Sequence, residues 1–142
     1  GQDGRVKIWH LQLPESQLIA TLENAPAWVD RLAWNPTRNE LAFSMGRYLQ
    51  VWDADAQEVA VTLNFEASSV LDMAWRPNGE HLAVAGNQGV KIWDAQDWDE
   101  DPTILELVAA SLAIAWSGDN NYIASANLDQ TLTVWQWNNP SP

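Results

Sequence analysis

The chain has 142 residues, 46% of them hydrophobic, and its 19 acidic and 7 basic residues give a formal net charge of −12. This length and apolar content predict one globular domain at most. The acidic balance argues against a nucleic-acid partner, because binding phosphates requires clustered Lys and Arg. No apolar run is long enough to span a membrane. The absence of cysteine excludes disulfides, thiolate metal sites and cysteine nucleophiles.

In chain order, the sequence divides into short apolar and β-branched runs separated by turn residues. The pattern is clearest in Val29–Trp34, Leu41–Ser44, Tyr48–Trp52 and Glu58–Leu63, which we predict to be strands. A tight connection at Gly46-Arg47 joins the second of these runs to the third. Short strands at this regular spacing predict a four-stranded antiparallel meander. Because no segment keeps a helical period, the predicted class is all-β.

Tryptophan marks a repeat along the chain, which contains 10 Trp but only 2 Phe and 2 Tyr. One series is Trp34, Trp75 and Trp116, spaced 41 residues apart, and the other is Trp9, Trp52, Trp93 and Trp135, spaced 43, 41 and 42 residues apart. A four-stranded unit of this length cannot bury both of its faces alone, whereas radial stacking against copies of itself covers them. The repeat therefore predicts the blades of a β-propeller.

The predicted blades divide the single domain, residues 1–142, into four parts. Residues 1–23 form the end of a blade, residues 27–64 and 68–108 form two full blades, and residues 111–137 form an incomplete blade. The prediction is thirteen strands in groups of two, four, four and three, or a little over three blades.

Dipeptides at the second tryptophan series indicate a family. Trp52-Asp53 and Trp93-Asp94 occupy equivalent positions in the repeat, and Trp9-His10 and Trp135-Gln136 replace the dipeptide elsewhere. With the period and the strand pattern, these residues resemble the WD-repeat β-propeller family over nearly the whole chain. The resemblance implies a non-enzymatic, rigid scaffold that binds proteins or peptides and carries no cofactor.

The chain departs from the family pattern in its polar residues. The Gly-His pair expected before each first strand is absent. The turn position six residues before each tryptophan of the second series holds Asp3, Gly46, Asn87 and Asp129. A buried indole N–H requires an acceptor, so we expect Asp3 and Asp129 to supply one in their blades. We further expect apolar stacking, more than polar networks, to hold these blades together.

The resemblance also implies a partner-binding face, formed by the connections that enter first strands and by the turns between second and third strands. The candidate residues on this face are Trp28, Arg47, Ser68, Ser69, Asn87 and Gln88. Trp28 is favoured because no other blade has tryptophan at that position and because exposed Trp and Arg are typical interface anchors. The alternative is that Trp28 packs against the neighbouring blade.

Catalytic and metal-binding patterns are weak. His10 and His81 are the only histidines and are interpreted as surface or turn residues. The acidic segment Asp97–Asp101 imitates the start of a calcium loop but lacks the later Gly and Glu, so it is interpreted as a solvated loop. A channel-type enzyme site would need more than Asp30 and Asp72 on the innermost strands. We predict no catalytic, cofactor or metal residues.

Charge is concentrated late in the chain. Residues 92–142 carry eight carboxylates and no Lys or Arg. One interpretation is a solubilising acidic face. The other is a docking surface for a basic protein segment, because a field of one sign speeds association with an oppositely charged partner.

The incomplete ring leaves three hypotheses open. The chain is a portion of a larger propeller, or it self-associates through the edge strands Arg5–Trp9 and Thr131–Trp135, or it is an adaptor domain attached to a catalytic or signalling domain outside these residues. With no secretory signal visible, the predicted location is the cytoplasm.

Overall fold

The computed structural model describes residues 5–12, 15–23, 29–66 and 68–137, and every regular element in these ranges is a β-strand. The strands are β1 (Arg5–Gln12), β2 (Glu15–Glu23), β3 (Arg31–Trp34), β4 (Glu40–Met45), β5 (Tyr48–Asp53), β6 (Glu58–Asn64), β7 (Asp72–Trp75), β8 (His81–Gly86), β9 (Gly89–Asp94), β10 (Thr103–Glu106), β11 (Ser111–Trp116), β12 (Tyr122–Asn127) and β13 (Leu132–Gln136).

These strands form four antiparallel sheets, each following the order of the chain. Within the described ranges, β1–β2 is a two-stranded sheet, β3–β6 and β7–β10 are four-stranded sheets, and β11–β13 is a three-stranded sheet. Strands that follow one another in the chain pair with each other in every sheet, so each sheet is a meander built from local contacts. The all-β class with four-stranded blades, predicted from the spacing of the apolar runs, is confirmed.

The turns between second and third strands differ in length. Met45 pairs with Tyr48 and Gly86 with Gly89, which leaves two residues in each of those turns. In the last sheet the Asn127 N–H donates to the Thr131 carbonyl at 2.9 Å, which leaves three residues in the turn. Three-residue hairpins place a residue in the left-handed region, and Gln130 has φ 70° there.

Each sheet has two unlike sides. The alanine side carries Ala33, Ala42, Leu49 and Val51 in sheet β3–β6, and Ala74, Ala83, Ala85, Val90 and Ile92 in sheet β7–β10. The tryptophan side carries Met73, Trp75, Leu82, Val84 and Trp93 in sheet β7–β10, and Ile114, Trp116, Ile123 and Trp135 in sheet β11–β13. The alanine side of each four-stranded sheet packs on the tryptophan side of the next sheet. Small side chains therefore face large ones across both seams, which is how close-packed layers fill space.

A hydrogen bond between first strands repeats at both seams. The Trp75 indole N–H donates to the Ala33 carbonyl at 2.9 Å, and the Trp116 indole N–H donates to the Ala74 carbonyl at 3.0 Å. Leaving a buried donor of this kind unpaired costs on the order of 1–3 kcal/mol. Trp75 and Trp116 of the first tryptophan series therefore fix the spacing between sheets as well as packing in the core.

The last sheet contains a buried polar network that the sequence analysis did not predict. The hydroxyls of Ser111 and Ser125 lie 2.6 Å apart, and the Ser125 hydroxyl donates to Asn127 Oδ1 at 2.6 Å. Asn127 Nδ2 donates in turn to the hydroxyls of Thr131 and Thr133. The expectation that apolar stacking dominates needs correction for this sheet, since its buried serines and asparagine are joined through their side chains.

Asp129 has a different role from the one expected. Its carboxylate accepts the N–H and the hydroxyl of Thr131 within the exposed three-residue turn, and these hydrogen bonds, the hydroxyl's first, lower the pKa of the Asp129 carboxyl. The expectation that Asp129 accepts the Trp135 indole N–H is therefore corrected. Asp3, the other expected acceptor, lies outside the described residues.

Replacing Gly86 with alanine is expected to destabilise the fold. A Cβ at this position would lie 2.2 Å from Phe65 Cε2, and overpacking of a close-packed core costs about 1–3 kcal/mol. Thermal unfolding followed by circular dichroism measures the effect. Gly118→Ala is the matched control, because nothing lies within 4 Å of a Cβ there. Equal melting temperatures for the two variants would contradict the packing of Phe65 on β8.

Candidate functional site

One end of the sheets is formed by the turns between second and third strands together with the connections that enter the first strands. We call this end the loop face. Main-chain hydrogen bonds join turn to connection: Val70 N–H to the Gly46 carbonyl (2.8 Å), Leu107 N–H to the Gln88 carbonyl (3.3 Å) and Leu128 N–H to the Ala110 carbonyl (2.9 Å). The first of these bonds joins a turn to the connection that enters the next sheet, the second continues the β9–β10 pairing, and the third lies within sheet β11–β13. The backbone thus holds each of these loops in place.

The structure brings together on this face five of the six residues proposed from the sequence. Arg47, Ser69, Asn87 and Gln88 are exposed, and Ser68 is half-buried. The Ser68 hydroxyl donates to the Ser69 carbonyl at 3.1 Å and accepts the Asn87 N–H at 3.0 Å. The Ser68 hydroxyl therefore stabilises the β8–β9 turn, which forms part of the loop face. Trp28, the sixth residue, lies outside the described residues.

Arg47 and Tyr48 form an exposed pair at the β4–β5 turn. The Arg47 guanidinium carbon lies 5.3 Å from the centre of the Tyr48 ring, and Arg47 Nη2 donates to the Tyr48 hydroxyl at 3.4 Å. Tyr48 is 40% exposed. A cation over an aromatic ring is an amphipathic surface of the kind that anchors protein contacts.

A cleft of about 710 Å³ opens beside Gln88, where the segment after β6 passes β9 and β10. It is lined by Phe65, Glu66, Gln88, Gly89, Val90, Lys91, Ile104, Glu106 and Leu107. Phe65 and Val90 are buried at its floor, while the Ile104 side chain is 57% exposed at its wall. An apolar floor with a few polar groups at the rim is the usual composition of a binding cleft.

Lys91 fixes the polar side of this cleft. Its ammonium donates to the Phe65 carbonyl at 2.8 Å, lies 5.6 Å from the centre of the Phe65 ring and is 3.8 Å from Glu66 Oε2. The Glu66 side chain is largely exposed, so that ion pair contributes little stability. Lys91 therefore serves mainly to hold the segment after β6 against β9.

Gly89 allows strands β9 and β10 to approach closely at the end of the cleft. It has φ 130°, and a Cβ there would lie 2.2 Å from the Leu105 carbonyl oxygen. The sequence analysis missed Phe65, Lys91 and Ile104 as parts of this site. A lysine and a glycine within an otherwise apolar third strand were the available signals.

The opposite end of the molecule carries a second cleft, of about 570 Å³, which is rich in carboxylates. Glu80, Asp94, Glu100 and Asp101 line it. Three of these belong to the acidic stretch 92–142 identified in the sequence. This cleft is therefore where part of that charge is concentrated.

Arg76 lies at the base of the acidic cleft and joins two sheets. It is 9% exposed, and its Nε and Nη2 both donate to the Asn120 carbonyl, at 3.0 and 2.8 Å. Its Nη1 lies 3.3 Å from His81 Nδ1, and its guanidinium stacks over Trp116. Trp137 packs edge-on against both His81 and Trp116. His81 is thus a half-buried residue of the seam, whereas the sequence analysis had interpreted it as a surface or turn residue.

The remaining acidic candidates have structural hydrogen bonds. Asp30 accepts the Gly46 N–H at 3.1 Å, and Asp72 accepts the Ile114 N–H of the next sheet at 2.9 Å. Asp97 accepts the Asp99 N–H within its turn, and the intervening Trp98 packs edge-on against Trp75. Among the described residues, no group of three His, Asp or Glu side chains could hold a metal ion.

The pH dependence of stability is expected to include a contribution from His81. Burial, followed by the charge of Arg76, lowers the pKa of the His81 imidazole below its ordinary value of 6.5. The unfolded chain therefore binds a proton at a pH where the folded chain does not. The free energy of unfolding falls as the pH drops below the pKa of histidine in the unfolded chain. Between about pH 7.5 and about pH 5.5, the melting temperature of the native chain should fall further than that of His81→Gln. Parallel curves would contradict this coupling.

Comparisons with known proteins agree with this architecture. The sequence model of the family described as WD domain, G-beta repeat (WD40), matches residues 58–94 and 107–136. The first match runs from β6 to β9, so the sequence repeat begins on the fourth strand of one sheet and ends on the third strand of the next. A search among curated proteins finds no match to the chain. None of the described residues forms a helix long and apolar enough to cross a bilayer. The two matched segments follow the register of the sheets, which shows WD repeats of β-propeller type at residues 58–94 and 107–136.

Proposed function

We propose that this chain is a non-enzymatic scaffold that binds a protein or peptide segment on its loop face and in the adjoining cleft, and that its blades form part of a larger propeller. WD repeats are in general a protein-interaction fold, and this part rests on the family itself. The choice of surface rests on one observation: the cleft between Phe65 and Ile104 combines an apolar floor with polar groups at its rim.

The geometry of the cleft favours an extended segment. β10 is the outer strand of its sheet, and Ile104 projects an exposed apolar side chain from it. Gln88 and Glu66 offer side-chain hydrogen-bonding groups at the rim, while Phe65 supplies an aromatic floor. Apolar pockets give affinity and a few polar groups fix orientation in sites of this kind. The exposed Arg47–Tyr48 pair supports the continuation of the contact surface onto the neighbouring blade.

A basic partner segment is the class that the charge supports. The chain carries −12 overall, and the carboxylates of Glu66 and Glu106 line the proposed cleft itself. A negative field of this size raises the association rate of a positively charged segment and lowers that of an acidic one. Binding should therefore weaken as salt is added.

Selection from a random peptide library displayed on phage tests the proposed surface. Peptides enriched on the native chain should carry Lys or Arg, and Ile104→Asp should weaken their binding by about tenfold or more, as expected for loss of an interface anchor. Val59→Asp is the matched control, since Val59 is an exposed apolar residue of the outer strand β6, away from the cleft. Enriched peptides that bind Ile104→Asp and the native chain equally would contradict the proposed surface.

Trp28 remains a proposed anchor at the entrance to β3. If it contacts the partner, Trp28→Ala should weaken binding of the selected peptides while leaving the melting temperature nearly unchanged, because an exposed side chain contributes little to folding. Thermal unfolding and peptide titration of the same variant separate the two roles. A large fall in the melting temperature would show that Trp28 belongs to the core.

A further inference from the structure

We propose that an extended partner segment adds to the outer edge of sheet β7–β10 as a further strand, antiparallel to β10. Lys or Arg of this segment lies opposite Glu106, and an apolar residue lies opposite Ile104. This inference rests on the proposed function and deepens it, because it names the main-chain contacts and the partner sequence that the cleft selects. Its test follows hydrogen bonds of the main chain, which substitution of the Ile104 side chain does not measure.

The main-chain groups of β10 alternate between its two edges. The Leu107 N–H donates to the Gln88 carbonyl at 3.3 Å, in the register that β9 and β10 keep over their whole pairing. In an antiparallel ladder, pairs that exchange hydrogen bonds alternate with pairs that do not. The N–H and carbonyl groups of Ile104 and Glu106 therefore point away from β9. Because β10 pairs with β9 alone in the described part of the chain, these groups are open to an added strand.

The outer edge of the preceding sheet, β6, is less suited to an added strand. The pairing of β5 with β6 contains a register shift, whereas that of β9 with β10 is regular. Such irregularities bend an edge strand and hinder further pairing. Because the Phe65 N–H donates to the Arg47 carbonyl, the same alternation turns the main-chain groups of Thr62 and Asn64 outward. Both residues are uncharged and polar, so β10 is the edge that offers an apolar anchor and a charge.

The side chains beside this edge point into the cleft. Ile104 pairs with Lys91, and side chains alternate along a strand, so Ile104 and Glu106 share the side of the sheet that carries Lys91. All three residues line the cleft. On an added strand, the residues paired with Ile104 and Glu106 point to this same side. Every second side chain of the partner therefore enters the cleft.

The two positions select different partner residues. Glu106 is exposed, and among the described residues its carboxylate has no ion pair or hydrogen bond. Opposite charges across a pair of strands attract, so Lys or Arg fits opposite Glu106. The Ile104 side chain is 57% exposed, and an apolar residue opposite it would bury both side chains. The partner therefore carries a basic and an apolar residue with one residue between them.

The direction of the added strand sets the order of these two residues. Antiparallel pairing is the more stable arrangement per residue, and an antiparallel segment passes Glu106 before it reaches Ile104. From the amino to the carboxyl end, the partner sequence is Lys or Arg, any residue, then an apolar residue. Strand addition of this kind takes its affinity from the main chain and its specificity from alternate side chains. Residues 92–142 carry no Lys or Arg, so β10 itself presents no positive charge to the basic residue.

Titration of the isotope-labelled native chain with a synthetic peptide, followed by nuclear magnetic resonance, tests the contact. The probe is acetyl-Thr-Lys-Thr-Val-Thr-amide, which places its Lys opposite Glu106 when its Val lies opposite Ile104. We expect the amide signals of Ile104 and Glu106 to shift and their hydrogen exchange to slow. The matched control, acetyl-Thr-Val-Thr-Lys-Thr-amide, has the same composition in the other order and should bind about tenfold more weakly, because it loses both cross-strand pairs.

Proline on the outer edge separates the contribution of the main chain from that of the side chain. Glu106→Gln removes only the charge, whereas Glu106→Pro also removes an N–H that faces away from β9, so the sheet stays paired. Glu106→Pro should bind the probe about fivefold to tenfold more weakly than Glu106→Gln, as expected for one hydrogen bond. Thr62→Pro makes the same change on the edge of β6 and should keep the native affinity. Circular dichroism of each variant should match that of the native chain.

Methylation of the probe's main-chain nitrogens tests the same bonds without changing the chain. N-methylation of its Val, whose N–H faces the Ile104 carbonyl, should weaken binding by about fivefold or more. N-methylation of its central Thr, whose N–H points away from β10, should leave binding unchanged. Equal effects at the two positions, or unshifted signals of Ile104 and Glu106 at millimolar probe, would overturn the proposal.

The outcome is distinguishable from that of the proposed function. Library peptides that fail to bind Ile104→Asp, yet bind Glu106→Pro and Glu106→Gln equally, occupy the cleft without joining β10. That result overturns the strand addition and leaves the proposed surface in place. Loss of binding to both Ile104→Asp and Glu106→Pro, with binding to Glu106→Gln retained, supports the two together.

Discussion

The hydrogen bond from a tryptophan indole to the main-chain carbonyl of the preceding first strand is the contact on which the rest of the structure depends. It is directional, so it sets the rotation of one sheet on the next as well as their distance. The acceptors are the carbonyls of Ala33 and Ala74, whose small side chains occupy little space at the seam. The alternation of small and large sides is consistent with this contact.

A second set of hydrogen bonds joins the turns of successive sheets at the end opposite the loop face. Asn35 and Arg38 both donate to the Gly79 carbonyl at 3.1 Å, and Arg76 donates twice to the Asn120 carbonyl, which occupies the same place in the next repeat. A Cβ at Gly79 would lie 2.0 Å from the Thr37 hydroxyl oxygen, so the first of these junctions requires glycine. Hydrogen bonds between successive sheets therefore join both their first strands and these turns.

The fold could be predicted from the sequence because several features of the sequence indicated the same repeat. Trp75 and Trp116 repeat at one spacing, and the apolar runs between the tryptophans alternate with the period of a strand. The second-to-third turns were predictable for the same reason, as Gly46-Arg47 illustrates. Each of these features depends on neighbours close in the chain, which is the information that a single sequence carries best.

The residues predicted less well depend on distant neighbours or on one extra residue in a turn. Asp129 was expected to reach an indole, but its three-residue turn keeps the carboxylate in solvent with Thr131. Lys91 and Phe65 form one side of the cleft through a contact across 26 residues, which no local pattern specifies. His81 was assigned to the surface because its partners, Arg76 and Trp137, approach from a turn and from the segment after β13. The positions of Arg47, Asn87 and Gln88 in turns on the loop face could be predicted because the family resemblance identified those turns, and their role in binding stays a proposal.

The one-way packing of alanine side on tryptophan side has a consequence for how such chains change in evolution. Because each sheet offers its neighbours the same two surfaces, duplication of one unit of 41 residues adds one seam and leaves every earlier seam intact. Stability in such a stack grows roughly in proportion to the number of units. A gene encoding these blades can thus lengthen or shorten by whole units without redesign of its core, while the loops on the exposed end of each new unit are free to acquire a different specificity.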